Sequence, residues 1–228
     1  MQLISYFEFL DLFPEGKKVI LVGNSPSLRG EALGKWIDSH DVVIRFNHCP
    51  MQGYSEDVGT RTDILVTNPY PENRPSIQAK YLPKVILVMS PQTRRGNLAS
   101  LKAWAQNRPT VFTYTPALMG LKDSDHSAAL TTGSYASHLI PRILKPSGLS
   151  ITGFTLFLTG EGHYWNQSLP KGIHAHDVER ETVIFSKILQ NCKCPLTVTE
   201  EINWLTKQAN TPLSKSTNMI PLKSQKWN

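Results

Sequence analysis

The feature that most constrains the fold is a series of short, nearly continuous apolar segments separated by longer segments with helical periodicity. The apolar segments cover residues 18–22, 41–46, 63–67, 84–89, 110–114, 149–153 and 195–198. Strands that are apolar on both faces need cover on both faces, as in a parallel sheet with helices on each side. We therefore predict a single-domain α/β fold built on a doubly wound, mostly parallel sheet of about seven strands.

Helical periodicity and loop composition divide the rest of the chain. Residues 28–37, 97–105, 134–144 and 178–189 are predicted helices. Residues 1–205 form the predicted catalytic domain, and residues 206–228 form a basic, flexible C-terminal tail. Because doubly wound sheets bind ligands beyond the carboxyl ends of their strands, the loops that start at Gly23, Asn47, Thr131 and Gly153 are expected to face one cleft.

The charge of the chain argues against nucleic acid as a partner. The formal net charge is +6, but Lys207, Lys215, Lys223 and Lys226 in the predicted tail supply four of the positive charges. The body of the protein is therefore only mildly basic, and a basic face for phosphate backbones is not predicted.

The N-terminal segment resembles neither a signal peptide nor a membrane anchor. It contains Glu8 and Asp11 early, and it has no run of about 20 apolar residues. Its apolar residues at helical spacing are Leu3, Phe7, Leu10 and Phe13. We predict an amphipathic helix that packs on the body, with peripheral membrane contact as the alternative.

The cysteines favour a reducing compartment. Cys49, Cys192 and Cys194 leave at least one thiol unpaired, and the Cys-Lys-Cys spacing is too short for an unstrained bridge. Cys192 and Cys194 also lack a second ligand pair at a spacing that would make a zinc site, so no metal is predicted there.

The first motif follows the strand at residues 18–22. Gly23-Asn24-Ser25 offers a tight turn with neutral hydrogen-bonding groups, but a plain strand-to-helix turn would have the same residues. The sequence continues with Arg45-Phe46-Asn47, Pro50, Asp57-Val58-Gly59 and Thr62. In this order the motifs resemble the large sialylmotif of glycosyltransferase family 29, the sialyltransferase family.

Three further motifs extend the resemblance toward residue 181. Thr131-Thr132-Gly133-Ser134, with the strand that ends at Gly153, is similar to the small sialylmotif of the family, although Thr could simply cap a helix there. His163-Tyr164-Trp165 resembles the short third motif. His176 and Glu181 match the His-x-x-x-x-Glu motif, and so do His174 and Glu179; we prefer the first pair because His-Asp before a polar segment is closer to family members.

The resemblance implies a GT-A-like variant of the nucleotide-sugar transferase fold and an inverting transfer of sialic acid from CMP to a glycan hydroxyl. It places Asn24, Ser25, Asn47, Thr131, Thr132, Gly133 and Gly153 at the nucleotide, Tyr164 at the donor pocket and His163 toward the phosphate. His176 is implied to be the general base, with Glu181 fixing its loop and helix. A monophosphate leaving group does not need a metal ion that bridges two phosphates, so no cofactor is expected besides the CMP-sugar co-substrate.

The chain departs from the family at the disulfide of its animal members. Val19 and a position near Pro146 stand where those members have cysteine. This difference, together with the N-terminal segment, predicts a cytoplasmic protein, with the inner face of a membrane as an alternative place.

Three rival interpretations stay open at the level of sequence. Asp123-Ser124-Asp125 has the pattern of a metal-dependent UDP-sugar transferase. A nucleotide-binding module without catalysis is the second. The third keeps the chemistry but uses CMP-3-deoxy-manno-octulosonate, because both sugars are acidic 2-keto sugars.

Overall fold

A computed structural model describes residues 1–68, 70, 82–89, 98–113 and 130–224. In these residues the strands are Gln2–Leu3 (β1), Lys18–Val22 (β2), Val42–Phe46 (β3), Ile64–Thr67 (β4), Val85–Val88 (β5), Pro109–Phe112 (β6), Gly148–Thr152 (β7), Leu196–Thr199 (β8) and Asn218–Ile220 (β9). The helices are Tyr6–Leu12 (α1), Gly34–Asp38 (α2), Ser55–Val58 (α3), Leu98–Ala105 (α4), Thr132–Leu144 (α5), Val178–Gln190 (α6) and Glu200–Gln208 (α7).

The strands of the described residues form one parallel sheet in the order β1-β6-β5-β4-β3-β2-β7-β8-β9. All seven predicted strands are present, so the predicted α/β class and parallel sheet are confirmed. From β2 the chain moves outward on one side through β3 to β6, and it returns with β7 on the other side of β2. The strand order therefore reverses between β2 and β7, which is where doubly wound sheets open a ligand crevice.

Both faces of the sheet are buried, which explains the apolar strands. Val19 and Leu21 of β2 belong to the larger core cluster, which α1, α5, α6 and α7 help to form. Ile20 and Val22, which point the other way, pack in a second cluster with residues of α2 and α3. Alternate residues of one strand thus fill two cores, so no polar alternation is possible along it.

Of the helix predicted for residues 28–37, only the last four residues are α-helical. Pro26–Leu28 form a single 3-10 turn, and α2 starts only at Gly34. Between them Gly30 and Ala32 have φ values of 77° and 54°, in the left-handed region. Their N–H groups donate to the two carboxylate oxygens of Asp57 at 2.8 and 2.9 Å, so this side chain replaces the helical hydrogen bonds.

The N-terminal helix packs on the body as predicted, and two of the four residues predicted to face the body, Leu10 and Phe13, pack against the core. Ser5 and Glu8 form a capping box that starts α1 at Tyr6. Phe9 and Phe13 are buried, whereas Leu3 and Phe7 are 64% and 78% exposed. Leu3 lies in β1 and not in the helix, and Phe9 contributes to the core in addition to the predicted residues.

The segment predicted as a tail contains ordered elements. It includes the last turn of α7 and the edge strand β9, which pairs with β8. The carboxylate of Glu200 accepts the N–H of Leu222 at 2.9 Å, and Glu31 accepts the N–H groups of Lys223 and Ser224. The flexibility of this segment stays a prediction. In the part of the chain that is described, no helix has the length and apolar character needed to cross a bilayer.

Candidate active site

A cavity opens where the strand order reverses, at the carboxyl ends of β2, β3 and β7. Of the residues predicted from sequence, Asn24, Ser25, Asn47, Thr131, Thr132, Gly133, Gly153 and His163 line it. Gly23, Phe46, Gly162 and the four residues 154–157 complete the wall. Segments that lie far apart in the sequence therefore meet at one crevice, as the parallel sheet predicts.

The turns after β2 and β7 are in direct backbone contact. The N–H of Ser25 donates to the carbonyl of Gly153 at 2.9 Å, and the N–H of Gly23 donates to Thr152 at 2.8 Å. A Cβ atom added to Gly23 would lie 2.1 Å from the carbonyl oxygen of Gly153. Only glycine permits this approach, which brings the first sequence motif against the end of the second.

Asn24 ties the turn after β2 to the turn after β3. Its Nδ2 group donates to the carbonyls of Phe46 and His48 at 3.0 and 3.2 Å. These two bonds fix the orientation of the amide, because only the nitrogen can donate. The Oδ1 atom is buried and has no hydrogen-bond partner among the described residues. It is therefore an oriented acceptor beside the cavity.

Asn47 connects the turn after β3 to the neighbouring elements. It has a φ of 49°, which asparagine tolerates better than most residues. Its Oδ1 accepts the hydroxyl of Thr67 at 3.3 Å, and its Nδ2 donates to the hydroxyl of Thr132 at 3.4 Å. This side chain holds the N-terminus of α5 at the carboxyl ends of β3 and β4.

The N-terminus of α5 forms one wall of the cavity. Thr131 caps the helix, because its hydroxyl accepts the N–H of Ser134 at 3.4 Å. Gly133 packs against Phe154, since a Cβ there would lie 2.5 Å from the ring. Thr131 thus caps the helix and also lines the cavity. The first-turn amides carry the positive end of the helix dipole.

Glu181 joins this helix to the segment that contains His176. One of its oxygens accepts the N–H and the hydroxyl of Thr131 at 2.8 and 2.5 Å, and it also accepts the hydroxyl of Ser134. The other oxygen lies 3.9 Å from Nδ1 of His176, beyond the range of a direct hydrogen bond. Burial raises the pKa of the Glu181 carboxyl, against the effect of the bonds from Ser134 and Thr131.

His176 lies outside the cavity lining but next to its wall. It ends the 3-10 turn Ile173–Ala175, and its side chain is 25% exposed. His174 and Glu179, the other match to the motif, are both exposed. The structure therefore joins the pair His176 and Glu181, and through Glu181 it joins His176 to Thr131.

His163 reaches the cavity from a tight turn. Its backbone exchanges hydrogen bonds with Asn166, and its ring lies 4.5 Å from that of Trp165 and 5.6 Å from that of Phe157. Burial and the nearby His48 lower the pKa of His163 to about 4. The imidazole is therefore neutral at pH 7.

Tyr164 does not line the cavity. Its side chain is buried, and its hydroxyl donates to the carbonyl of Pro50 at 2.7 Å. Its N–H donates to the carbonyl of Asn24 at 3.0 Å. Tyr164 thus supports the Asn24 turn from behind, and a direct contact of its side chain with a donor stays a prediction.

Several residues of the site were not identified from the sequence. His48 packs against Trp165 with a ring separation of 5.1 Å, and Leu156 and Phe157 line the cavity with φ values of 50° and 63°. Glu201 is buried beneath Gly153. No periodicity or spacing in the sequence identifies these residues. The positive φ of Leu156 and Phe157 is uncommon for residues other than glycine, but only the structure shows it.

Within the described residues, no group of three or more His, Cys, Asp or Glu side chains is placed so that it could hold a metal ion. Asp123 and Asp125 lie outside the described residues, so the metal-dependent hypothesis depends on residues whose placement is not described here. Cys49, Cys192 and Cys194 are free.

Comparison with known proteins finds one family over more than half of the chain. Residues 15–146 match glycosyltransferase family 29 (sialyltransferase). The type 2 lactosamine alpha-2,3-sialyltransferase of Mus musculus is 39% identical over 100 residues, which cover 40% of this chain and 30% of that protein. The lactosylceramide alpha-2,3-sialyltransferase of Rattus norvegicus is 45% identical over 65 residues, 28% of this chain and 16% of that one. The chain thus spans less than a third of the length of these relatives.

Solved sialyltransferases share the fold. One from Campylobacter jejuni, in complex with the substrate analogue cytidine-5'-monophosphate, has a TM-score of 0.54 and 14% identity, over 94% of this chain and 92% of that one. A mammalian sialyltransferase in complex with Gal-beta-1-3GalNAc-ortho-nitrophenol has a TM-score of 0.53 and 20% identity, over 79% and 69% of the two chains.

Proposed function

Because the chain belongs to glycosyltransferase family 29, the sialyltransferase family, we propose that it transfers sialic acid, or a related acidic 2-keto sugar, from CMP to a glycan hydroxyl. The observation that carries the proposal is the meeting of three sequence motifs at one cavity, with the fourth motif held against the cavity wall. Asn24, Asn47, Thr132 and His163 line it, and Glu181 links its wall to His176.

The polar groups of the cavity suit a nucleotide monophosphate. Among its described lining residues none is lysine or arginine. Stabilisation of the departing phosphate therefore falls to the N-terminal amides of α5, the hydroxyl of Thr132 and the ring of His163. The buried Oδ1 of Asn24 accepts a hydrogen bond from the nucleoside, through a ribose hydroxyl or the cytosine amino group.

The reaction proceeds by a single displacement with inversion. The acceptor hydroxyl gives its proton to Nε2 of His176, while Nδ1 faces the Glu181 carboxylate. The acceptor oxygen forms a bond to the anomeric carbon of the donor sugar, and the bond from that carbon to the phosphate oxygen breaks. Its electron pair leaves with CMP, whose charge the amide groups of α5 stabilise.

CMP release is expected to be insensitive to EDTA. A monophosphate leaving group carries less charge than a diphosphate, so the amide dipoles and His163 suffice without a cation. The measurement compares CMP release from CMP-N-acetylneuraminate and CMP-3-deoxy-manno-octulosonate, each with and without EDTA, in the presence of glycan acceptors.

The same screen separates the rival functions. Loss of activity with EDTA and recovery with manganese would overturn metal independence and favour Asp123 and Asp125 as ligands. Tight CMP binding without release from either donor would favour a nucleotide-binding module. The donor with the larger kcat/KM identifies the sugar.

Replacement of Asn24 by alanine is expected to weaken CMP binding by about tenfold. The variant loses both the acceptor beside the cavity and the bonds from Nδ2 to Phe46 and His48. Isothermal titration of CMP into the parent and the variant measures the change in Kd.

Asn166→Ala is the matched control for this substitution. Asn166 is an asparagine in the turn that contains His163. Its Oδ1 accepts the N–H of Ser168, and neither residue lines the cavity. We expect its CMP affinity to stay within about twofold of the parent. Equal affinities for Asn24→Ala and the parent would remove Asn24 from the proposed nucleotide site.

A further inference from the structure

Glu201 is a buried carboxylate in the floor beneath the cavity. It lies in the first turn of α7, directly after β8, and its side chain is fully buried. One oxygen accepts the N–H of Gly153 at 2.7 Å and the hydroxyl of Thr199 at 2.7 Å. The hydroxyl of Thr199 is also 2.9 Å from that of Thr152. The carboxyl therefore contacts Gly153 directly and Thr152, the last residue of β7, through Thr199.

The Gly153 end of this contact is part of the cavity wall. Gly153 has a φ of 76°, and its carbonyl accepts the N–H of Ser25 at 2.9 Å. A continuous path of hydrogen bonds thus runs from Glu201 through the Gly153 peptide region to Ser25 in the opposite turn. Through these bonds the Glu201 carboxyl fixes the distance between the turn after β7 and the turn after β2.

Within the described residues, the second oxygen of Glu201 makes no hydrogen bond that would offset the cost of burying it. It is buried and has no hydrogen-bond partner among the described residues. Burial and the charge of Glu31 raise the pKa of the Glu201 carboxyl to about 7. Burying such a group opposes folding, so an apolar residue of similar volume would serve the core better. Departures of this kind concentrate at functional sites.

We propose that Glu201 is a positioning residue for donor binding, which holds the Gly153 N–H and thereby fixes the spacing of the two turns that enclose the nucleotide. The proposal rests on the proposed function and adds to it a residue outside all four sequence motifs. Glu201 acts through Gly153 and Ser25 and does not line the cavity itself.

The test compares two substitutions of similar volume in the full chain. Glu201→Met fills the space but cannot accept a hydrogen bond, whereas Glu201→Gln keeps an acceptor oxygen for Gly153. We expect the Met variant to weaken CMP binding by about tenfold and the Gln variant to stay within about threefold of the parent. Calorimetric Kd values are measured at a temperature where circular dichroism shows every variant folded.

Glu200→Met is the matched control, because Glu200 precedes Glu201 in the same helix and its carboxylate accepts the N–H of Leu222, away from the cavity. It should bind CMP as the parent does. Amide hydrogen exchange of Gly153 gives a second readout, which is faster in Glu201→Met and unchanged in Glu200→Met. If Glu201→Met does not fold, Glu201→Asp replaces it, since the shorter side chain draws the carboxylate away from Gly153.

The outcomes separate this inference from the function it rests on. A folded Met or Asp variant that binds CMP like the parent overturns the positioning role and leaves the proposed function intact. A Gln variant that loses as much affinity as Met overturns the hydrogen-bond basis. A parent that does not bind CMP overturns the proposed function, and the positioning role with it.

Discussion

His176→Ala is expected to reduce CMP release from the CMP-sugar donor by about a thousandfold, within the range that general-base catalysis supplies. The substitution removes the group that takes the acceptor proton, but it leaves every residue of the cavity lining in place. CMP affinity should therefore stay within about twofold of the parent. Steady-state CMP release and calorimetric titration of CMP measure the two quantities.

His174→Ala is the control for this substitution. His174 lies two residues away in the same 3-10 turn, but it is exposed and its motif partner Glu179 is exposed as well. We expect its activity to match the parent. Full turnover in His176→Ala, together with loss in His174→Ala, would move the base to His174 and contradict the assignment made from the contact with Glu181.

Glu181 connects His176 to the N-terminus of α5. Three donors from Thr131 and Ser134 converge on one oxygen of Glu181, while its other oxygen faces His176. The same carboxylate therefore holds the wall of the proposed phosphate site and the loop of the proposed base. One buried side chain therefore fixes the distance between the proposed donor site and the proposed base.

The sheet was predictable where burial dictates the sequence. Central strands such as Lys18–Val22 and Val85–Val88 lie between covering layers, so they are apolar on both faces, and the pattern identifies them. The edge strands Gln2–Leu3 and Asn218–Ile220 were not predicted, because they have two and three residues and their side chains are largely exposed. Backbone pairing with a neighbouring strand forms them, and such pairing leaves no periodic signal in the sequence.

The site was predictable where a residue type is required by its turn. Gly23, Asn24 and Thr131 follow or precede recognised elements, and the rule for doubly wound sheets brings them together. Glu201 and His48 could not be found in this way, because each is defined by contacts across the sheet or between loops. Glu201 lies in the first turn of α7, where the helix dipole alone would favour a glutamate. The sequence therefore gives no sign that its carboxyl is buried.

Gly23→Ala is expected to lower the free energy of unfolding by about 3 kcal/mol, at the upper end of the cost of overpacking. The new Cβ would lie 2.1 Å from the carbonyl oxygen of Gly153 and 2.8 Å from the ring of Phe154. The first of these is backbone at the centre of the sheet, so neither strand can move without breaking its pairing. Urea denaturation followed by circular dichroism measures the change.

Gly172→Ala provides the comparison, because nothing lies within 4 Å of its added Cβ and its φ of −87° suits alanine. Its free energy of unfolding should stay within about 0.5 kcal/mol of the parent. The Gly23 variant should also lose CMP affinity, since the clash forces apart the turns after β2 and β7. Equal stability and equal CMP affinity for the two variants would show that the turns after β2 and β7 do not meet closely. That result would contradict the proposed nucleotide site, because both turns line the cavity.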